Sequence, residues 1–139
     1  MKVFEWKIRK AKAISKKKKL LISFACDDLN YRDHIMRQSW AHAYEIVEIP
    51  PKKNTSKQAW QTQCSNLINK CDGAIVLIGP TTHLAEKARN EIRLIHRSNL
   101  PVIGIEINQA HAAQVPRELR DVFVMRWNWD RFEGFVHMI

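Results

Sequence analysis

Short apolar runs alternate with helical repeats from residue 20 to the end of the chain. Residues 20–25, 73–79 and 101–107 are almost continuously apolar, as strands buried on both faces of a parallel sheet must be. Residues 44–49 alternate like a half-buried strand, and a short strand is expected near residues 122–127. The pattern therefore predicts five strands.

Segments with a 3.6-residue apolar period separate these strands and predict helices. A helix over residues 30–43 would follow the first strand, with two apolar residues at helical spacing, Tyr31 and Ile35. Ser56 is the expected N-cap of a helix over residues 57–70, which would bury Trp60, Cys64, Leu67 and Ile68. A third helix precedes the strand at 101–107, and a last one begins at Asn128 or Asp130.

This order of elements indicates an α/β fold. Strand and helix alternate five times, which predicts a doubly wound parallel sheet of about five strands with right-handed crossovers and helices on both faces. Ligands bind such sheets outside the carboxyl ends of the strands. Three loops reach that edge, and we expect them to form the wall of a site: residues 25–30, 50–57 and 79–83.

Composition narrows the class of protein. With 139 residues, 45% of them hydrophobic and 27% charged, the chain has the size and balance of one globular domain. The apolar runs are far too short to cross a membrane, and no apolar signal segment follows the N-terminal lysines, so we expect a cytoplasmic protein without membrane contact. The three cysteines and six histidines lack ligand spacing, so we expect reduced thiols and no metal ion.

The net charge of +9 is concentrated at the N-terminus. Residues 1–19 form a basic arm with a net charge of +8, and the predicted domain over residues 20–139 carries only +1. Such an arm can bind polyanions without sequence preference, or its apolar residues can dock on a partner. Because the domain itself is nearly balanced, we do not expect nucleic acid to be the partner.

Three common doubly wound folds lack their signatures here. A receiver domain needs an acidic residue at the end of the third strand, where this chain has Gly79 and Pro80. A dinucleotide-binding Rossmann unit needs G-x-G-x-x-G after a strand, and residues 79–84 contain one glycine. A flavodoxin needs a phosphate loop rich in Ser and Thr after the first strand, where residues 25–30 carry acids instead.

One carboxylate in the third helix has an unexpected position. Glu91 lies three residues after Ala88 and four before Ile95, beside the apolar stripe formed by Leu84, Ala88, Ile92 and Ile95. Pairing with Lys87 one turn earlier would explain it, at roughly a few tenths of a kcal/mol. A place beside a ligand is the alternative.

Three segments, in this order, resemble the short bacterial TIR-like domain associated with Thoeris antiphage defence. KKKKLLISFACDD at 16–28 is similar to the opening strand and its S-[FY]-x-x-x-D pattern. CDGAIVLIGPTTHLAEKARNEI at 71–92 is similar to the third strand, the I-G-x-x-T loop and the x-x-x-E-I helix, and LPVIGIEI at 100–107 to the fourth strand. The likeness spans about residues 16–108 and implies a flavodoxin-like, TIR-like fold.

The resemblance implies that Glu91 is the glutamate with which TIR enzymes break the nicotinamide–ribose bond of NAD. Breaking that bond leaves positive charge on the ribose, and a fixed carboxylate stabilises this state more than the ground state. The resemblance makes NAD the substrate, and we expect no cofactor. No metal ion is required, because nicotinamide leaves as a neutral molecule from a cationic ring. Because TIR enzymes complete their sites between subunits, the resemblance also implies a homo-oligomer.

Five other residues are candidates for binding the substrate. Phe24 and Ala25 match the family's position for the nicotinamide riboside end, although Phe24 also fits strand core. Asp28 matches the acid of the first loop, with capping of the next helix as the alternative. Trp60 could stack on a ring, but its helical spacing also fits the core. Thr82 is the threonine of the I-G-x-x-T loop.

The resemblance implies an antiphage-defence enzyme that cleaves NAD after a phage-derived trigger. The ADP-ribose part would become a signalling nucleotide, cyclic or joined to another nucleophile, that activates a separate effector. One alternative is a TIR-like adaptor that only assembles, and another is a nucleoside deoxyribosyltransferase-like enzyme acting on free nucleosides. A Glu91 carboxylate beside an open cleft would distinguish an enzyme from the adaptor, because an adaptor needs neither the carboxylate nor the cleft.

Overall fold

A computed structural model describes residues 17–50, 54–107 and 114–139, apart from the side chains of Ser39, Trp40 and Trp129. The five predicted strands are present as one parallel sheet: β1 Lys19–Ser23, β2 Glu45–Glu48, β3 Gly73–Ile78, β4 Val102–Glu106 and β5 Phe123–Arg126. Their spatial order is β2-β1-β3-β4-β5. The direction of winding therefore reverses between β1 and β3, where sheets of this order bind ligands.

Helices cover both faces of the sheet, as predicted. The α-helices of the described ranges are α1 Leu29–Met36, α2 Lys57–Asn69, α3 Glu86–Arg97 and α4 Trp129–Met138. Alternate residues of β1 enter different core clusters, because successive side chains of a strand point to opposite faces. Leu20 and Ile22 join the cluster that contains Phe132 of α4, and Leu21 joins the one that contains Ile92 of α3.

The second helix confirms its predicted start. Ser56 Oγ accepts a hydrogen bond from the backbone N–H of Ala59 at 3.0 Å, and α2 follows directly. The predicted inward stripe is buried at Trp60, Cys64 and Ile68, whereas Leu67 is only half-buried. The capping residue and the apolar spacing independently predict the same helix, and the structure contains it.

Two helix predictions were wrong in extent. The helix predicted over 30–43 ends at Met36, because the extended backbone of Gln38 separates it from a 3-10 turn at Ser39–Ala43. Leu84 was predicted to open the apolar stripe of the third helix, but it is 73% exposed in a 3-10 turn at Thr82–Leu84. The extended backbone of Ala85 delays the start of α3 to Glu86.

Parts of two predicted segments lie outside the described residues: residues 1–16 of the basic arm and residues 51–53 of the loop expected at 50–57. Residues 108–113, after β4, also lie outside them. In the ranges that the structure describes, no helix has both the length and the apolar character needed to cross a membrane.

Candidate functional site

Two adjoining clefts open at the carboxyl edge of the sheet, next to the reversal between β1 and β3. The Glu91 cleft, of about 190 Å³, is lined by Ile22, Phe24, Cys26, Leu29, Glu48, Ile49, Lys87 and Glu91. The Thr81 cleft, of about 330 Å³, is lined by Phe24, Ala25, Cys26, Asp27, Thr81, Leu84, Ala85, Lys87 and Ala88. The two share Phe24, Cys26 and Lys87, so together they offer one continuous surface to a ligand.

Glu91 belongs to the buried face of α3. Its side chain is 4% exposed, and it lies among the buried residues Ala88, Ile92, Leu94 and Ile95. The Ser23 hydroxyl lies near the Glu91 carboxyl group, but neither Ser23 Oγ nor Glu91 Oε2 makes a hydrogen bond of good geometry within the described ranges. A buried carboxylate oxygen without a partner is costly, so its position beside a cleft calls for a ligand more than for a solvated ion pair.

Burial raises the pKa of Glu91 to about 7. Among the neighbouring groups, the charge of Lys87 lowers the pKa, the charge of Glu48 raises it, and the Ser23 hydroxyl lowers it. Glu48 is itself ion-paired with Arg32, whose guanidinium also binds Asp33 at 2.7 Å. The Glu91 carboxyl group therefore changes charge near neutral pH, which is typical of functional carboxylates.

Phe24 and Ala25, two of the predicted substrate-binding residues, both line a cleft. Phe24 follows β1 directly, is half-buried and lines both clefts, while also packing against the core cluster of α1 and α4. The guanidinium carbon of Arg32 lies 6.0 Å from the centre of its ring. Ala25 is 4% exposed and lines the Thr81 cleft. Phe24 therefore shares a cleft with Glu91, whereas Ala25 lies in the adjoining cleft.

Asp28 lies behind the cleft wall. It occupies the N-cap position of α1 but makes no capping hydrogen bond, and it is 1% exposed. Its carboxylate packs against the backbone of Gly79, where an added Cβ would lie only 2.1 and 2.3 Å from its two oxygens. Asp28 therefore joins the loop after β1 to the loop after β3, and it is not among the residues that line the two clefts.

Thr82 and its neighbour Thr81 have different surroundings. Thr82 is fully buried, and its Oγ1 accepts a hydrogen bond from the backbone N–H of Gly79 at 2.8 Å. Thr81 lines the cleft, and its hydroxyl donates to Asp27 Oδ2 at 3.0 Å. Four residues that line the Thr81 cleft were not predicted as site residues: Cys26, Asp27, Thr81 and Lys87. Thr81 and Asp27 adjoin predicted residues, and Lys87 precedes Glu91 by one helical turn.

Trp60 lies in the core. It is 6% exposed within the cluster that contains Cys64, and its indole N–H donates to the carbonyl of Pro50 at 2.9 Å. This is the alternative that the sequence left open for Trp60. The structure brings Glu91, Phe24 and Ala25 together at the clefts, and Asp28 and Thr82 into the supporting loops.

The described residues contain no group of three His, Cys, Asp or Glu side chains placed to hold a metal ion. Cys26 is exposed, whereas Cys64 and Cys71 are buried. Burial raises the pKa of Cys64 to about 11 and also raises that of Cys71, so neither is an activated thiol.

Solved TIR structures share this fold. A metazoan TIR-STING receptor from C. gigas superposes with a TM-score of 0.57 at 14% identity, covering 85% of this chain and 38% of that one. The TIR domains of the activated Roq1 resistosome, which directly recognises the pathogen effector XopQ, superpose with a TM-score of 0.52 at 12% identity, covering 85% and 72%. The interleukin-17 receptor B SEFIR domain gives 0.52 at 14% identity, covering 86% and 93%. At these identities the likeness concerns the fold alone.

Sequence comparison identifies the family. No curated protein matches the sequence. Residues 15–112 match the family described as "Thoeris protein ThsB, TIR-like domain", which is well over half of the chain and includes both clefts. The chain therefore belongs to the family of the TIR-like domain of Thoeris protein ThsB and is a TIR-type defence or signalling protein.

Proposed function

We propose that this protein is an antiphage-defence enzyme that cleaves NAD at the nicotinamide–ribose bond, with Glu91 as the catalytic residue. The ADP-ribose part becomes a signalling nucleotide that activates a separate effector, after a phage-derived trigger. The observation that carries the proposal is the buried Glu91 carboxyl group beside a cleft at the carboxyl edge of the sheet. The family match supports the defence role.

The chemistry needs one fixed carboxylate. The bond between nicotinamide N1 and ribose C1′ breaks, its electron pair leaves with neutral nicotinamide, and positive charge develops on the ribose. Ionised Glu91 stabilises that charge and accepts hydrogen bonds from the ribose hydroxyls. Water, or a nucleophilic atom of the ADP-ribosyl group itself, then bonds to C1′ and loses a proton. Because burial raises the pKa of Glu91 to about 7, the ionised form that the reaction needs is available near neutral pH.

The shape of the clefts supports a dinucleotide substrate. Phe24 offers an aromatic surface to the nicotinamide ring in the Glu91 cleft. The larger Thr81 cleft continues from the shared residues Phe24, Cys26 and Lys87 and can hold the remainder of the molecule. Pockets that bind ligands of this size combine apolar walls with a few polar groups in the same way.

The first experiment measures nicotinamide release from NAD by the purified protein. It compares the wild type with Glu91→Gln and with Glu86→Gln, an exposed carboxylate on the same helix, at high protein concentration, with and without lysate from phage-infected cells. We expect the wild type and Glu86→Gln to release nicotinamide and Glu91→Gln to lose at least about 100-fold in rate. The product mass distinguishes a cyclic nucleotide from a linear one, because cyclisation omits the water.

A folded, assembled wild type that releases no nicotinamide under any of these conditions would contradict the proposal and favour a non-catalytic adaptor. Consumption of free nucleosides but not of NAD would assign Glu91 to deoxyribosyl transfer instead. Equal rates for wild type and Glu91→Gln would remove Glu91 from the reaction.

A further inference from the structure

A basic cleft lies at the opposite end of the sheet, between the C-terminal half of α3 and the 3-10 turn at Arg117–Leu119. It has a volume of about 250 Å³. Four arginines line this arginine cleft, Arg93, Arg97, Arg117 and Arg120, together with Glu118 and Asp121. Because α3 leads into β4 and the turn leads into β5, the cleft is beside the amino ends of these strands, away from Glu91.

Glu118 is already occupied by arginines. Its side chain is 10% exposed and binds Arg89 Nη2 at 3.2 Å and Arg93 Nη2 at 3.1 Å. Arg93 also donates through Nη1 to Asn90 Oδ1 at 2.7 Å. These contacts hold the Arg93 guanidinium in place at the cleft wall. A ligand that binds there therefore does not have to immobilise this side chain, which lowers the entropy cost of binding.

The other three arginines are different. Arg97, Arg117 and Arg120 form no ion pair within the described ranges, whereas Arg32, Arg89, Arg93 and Arg126 do. With Glu118 shared between Arg89 and Arg93, Asp121 is the remaining acidic side chain in the lining. The cleft lining thus has an excess of positive charge, and such a surface attracts anions.

We propose that the arginine cleft binds the phosphate groups of a small ligand, either inorganic pyrophosphate or the phosphate tail of a nucleotide. A planar guanidinium group can donate two parallel hydrogen bonds to two oxygens of one phosphate, whereas a lysine ammonium acts as a point charge. A cluster of arginines is therefore well suited to bind phosphate groups. The volume is below that of pockets that enclose a whole drug-sized ligand, so the phosphates enter and the rest of the ligand stays outside. The N-terminal arm has the same sign of charge and is no candidate to fill the cleft.

The test is calorimetric titration of the full chain with pyrophosphate, with ATP, and with adenosine as the probe without phosphates. The variant is Arg97→Gln/Arg120→Gln, and the control is Arg37→Gln/Arg131→Gln, which removes the same charge from exposed arginines elsewhere. We expect the wild type and the control to bind pyrophosphate and ATP but not adenosine. The Arg97→Gln/Arg120→Gln variant should bind at least about tenfold more weakly, because two charge-assisted contacts are lost.

Equal weakening in the variant and in the control would assign binding to overall charge and overturn the proposal. It would also be overturned if duplex DNA bound and pyrophosphate did not, because that result belongs to a polyanion surface. Arginine Nε–H resonances of the wild type, followed by NMR during the pyrophosphate titration, test the site without any substitution: Arg97 and Arg120 should shift and Arg131 should not. The site is independent of NAD cleavage, so Glu91→Gln should bind pyrophosphate like the wild type.

Discussion

Glu91 lowers the stability of the fold whenever it is ionised. Burial raises its pKa from the ordinary value of 4.5 to about 7, so between these pH values the folded protein binds more protons than the unfolded chain. The free energy of unfolding therefore falls as the pH rises through this window and levels off above the folded pKa. Such a cost at a buried position is expected where chemistry requires the charge.

We predict that Glu91→Gln stabilises the protein relative to the wild type by about 2 kcal/mol more at pH 8 than at pH 5, since Gln avoids the burial of a charge. Urea denaturation at the two pH values measures the difference. Glu86→Gln, on the exposed face of the same helix, should show no comparable dependence. A stability gain for Glu91→Gln that is the same at both pH values would contradict the raised pKa.

Lys87 is the cation whose charge favours ionised Glu91. Among the residues that the structure describes, the other groups that influence the carboxyl are Ser23 of β1, Glu48 of β2 and Cys64 of α2, and none of these three supplies positive charge. We predict that Lys87→Met moves the acid side of the pH–rate profile for nicotinamide release to higher pH, because the pKa of Glu91 rises when this charge is removed. Lys87→Arg should keep the wild-type profile. An unchanged profile in Lys87→Met would show that Lys87 is screened by solvent.

The sequence could predict some residues of the site and not others. Glu91 could be predicted from the sequence, because helical spacing places it beside an apolar stripe and because the resemblance gave it a role. Asp28 and Thr82 were selected for their loops, yet both act within the loop packing, one against Gly79 and the other through the Gly79 N–H. Contacts between loops that are far apart in sequence determine which loop side chain faces a cleft. Such contacts cannot be predicted from local sequence patterns.

Strands were easier to predict than helix ends. A strand buried on both faces is a continuous apolar run, and β3 is buried at all six positions from Gly73 to Ile78. The predictions of a helix over 30–43 and of the start of the third helix were wrong, because single residues with extended backbone, Gln38 and Ala85, interrupt the helical segments. Neither is Gly or Pro, so nothing in the local sequence marks the break.

The loop after β3 depends on a glycine at position 79. We predict that Gly79→Ala lowers the free energy of unfolding by about 1–3 kcal/mol, because a Cβ would overlap the buried Asp28 carboxylate. Gly134→Ala is the matched control, since nothing lies within 4 Å of its added Cβ in α4, and it should stabilise by about 0.5–1 kcal/mol. Urea denaturation measures both.

The combination with Asp28→Ala tests the cause of the Gly79→Ala effect. If the overlap with the carboxylate is responsible, Gly79→Ala should cost less in the Asp28→Ala background than in the wild type, because the two positions are in contact. Additive effects of the two substitutions would contradict this explanation.

At the scale of the whole molecule, exposed apolar side chains lie at both clefts. Leu84 is 73% exposed and lines the Thr81 cleft, and Leu29 is 49% exposed and lines the Glu91 cleft. The resemblance to TIR enzymes predicts a homo-oligomer that completes its sites between subunits. The exposed leucines beside the clefts are positions at which such a subunit contact can be tested.

We predict that the specific rate of nicotinamide release rises with protein concentration in the wild type and no longer rises in Leu84→Asp, because a charge at this position opposes burial against a second subunit. Met138→Asp is the control, since Met138 is 78% exposed at the far end of α4. Leu84 also lines the Thr81 cleft, so a lower rate alone could reflect weaker substrate binding. The molar mass from light scattering separates the two causes: Leu84→Asp should stay monomeric at concentrations where the wild type and Met138→Asp assemble. If Leu84→Asp assembled like the wild type, the subunits would have to meet elsewhere, and Leu84 would belong to the substrate site alone.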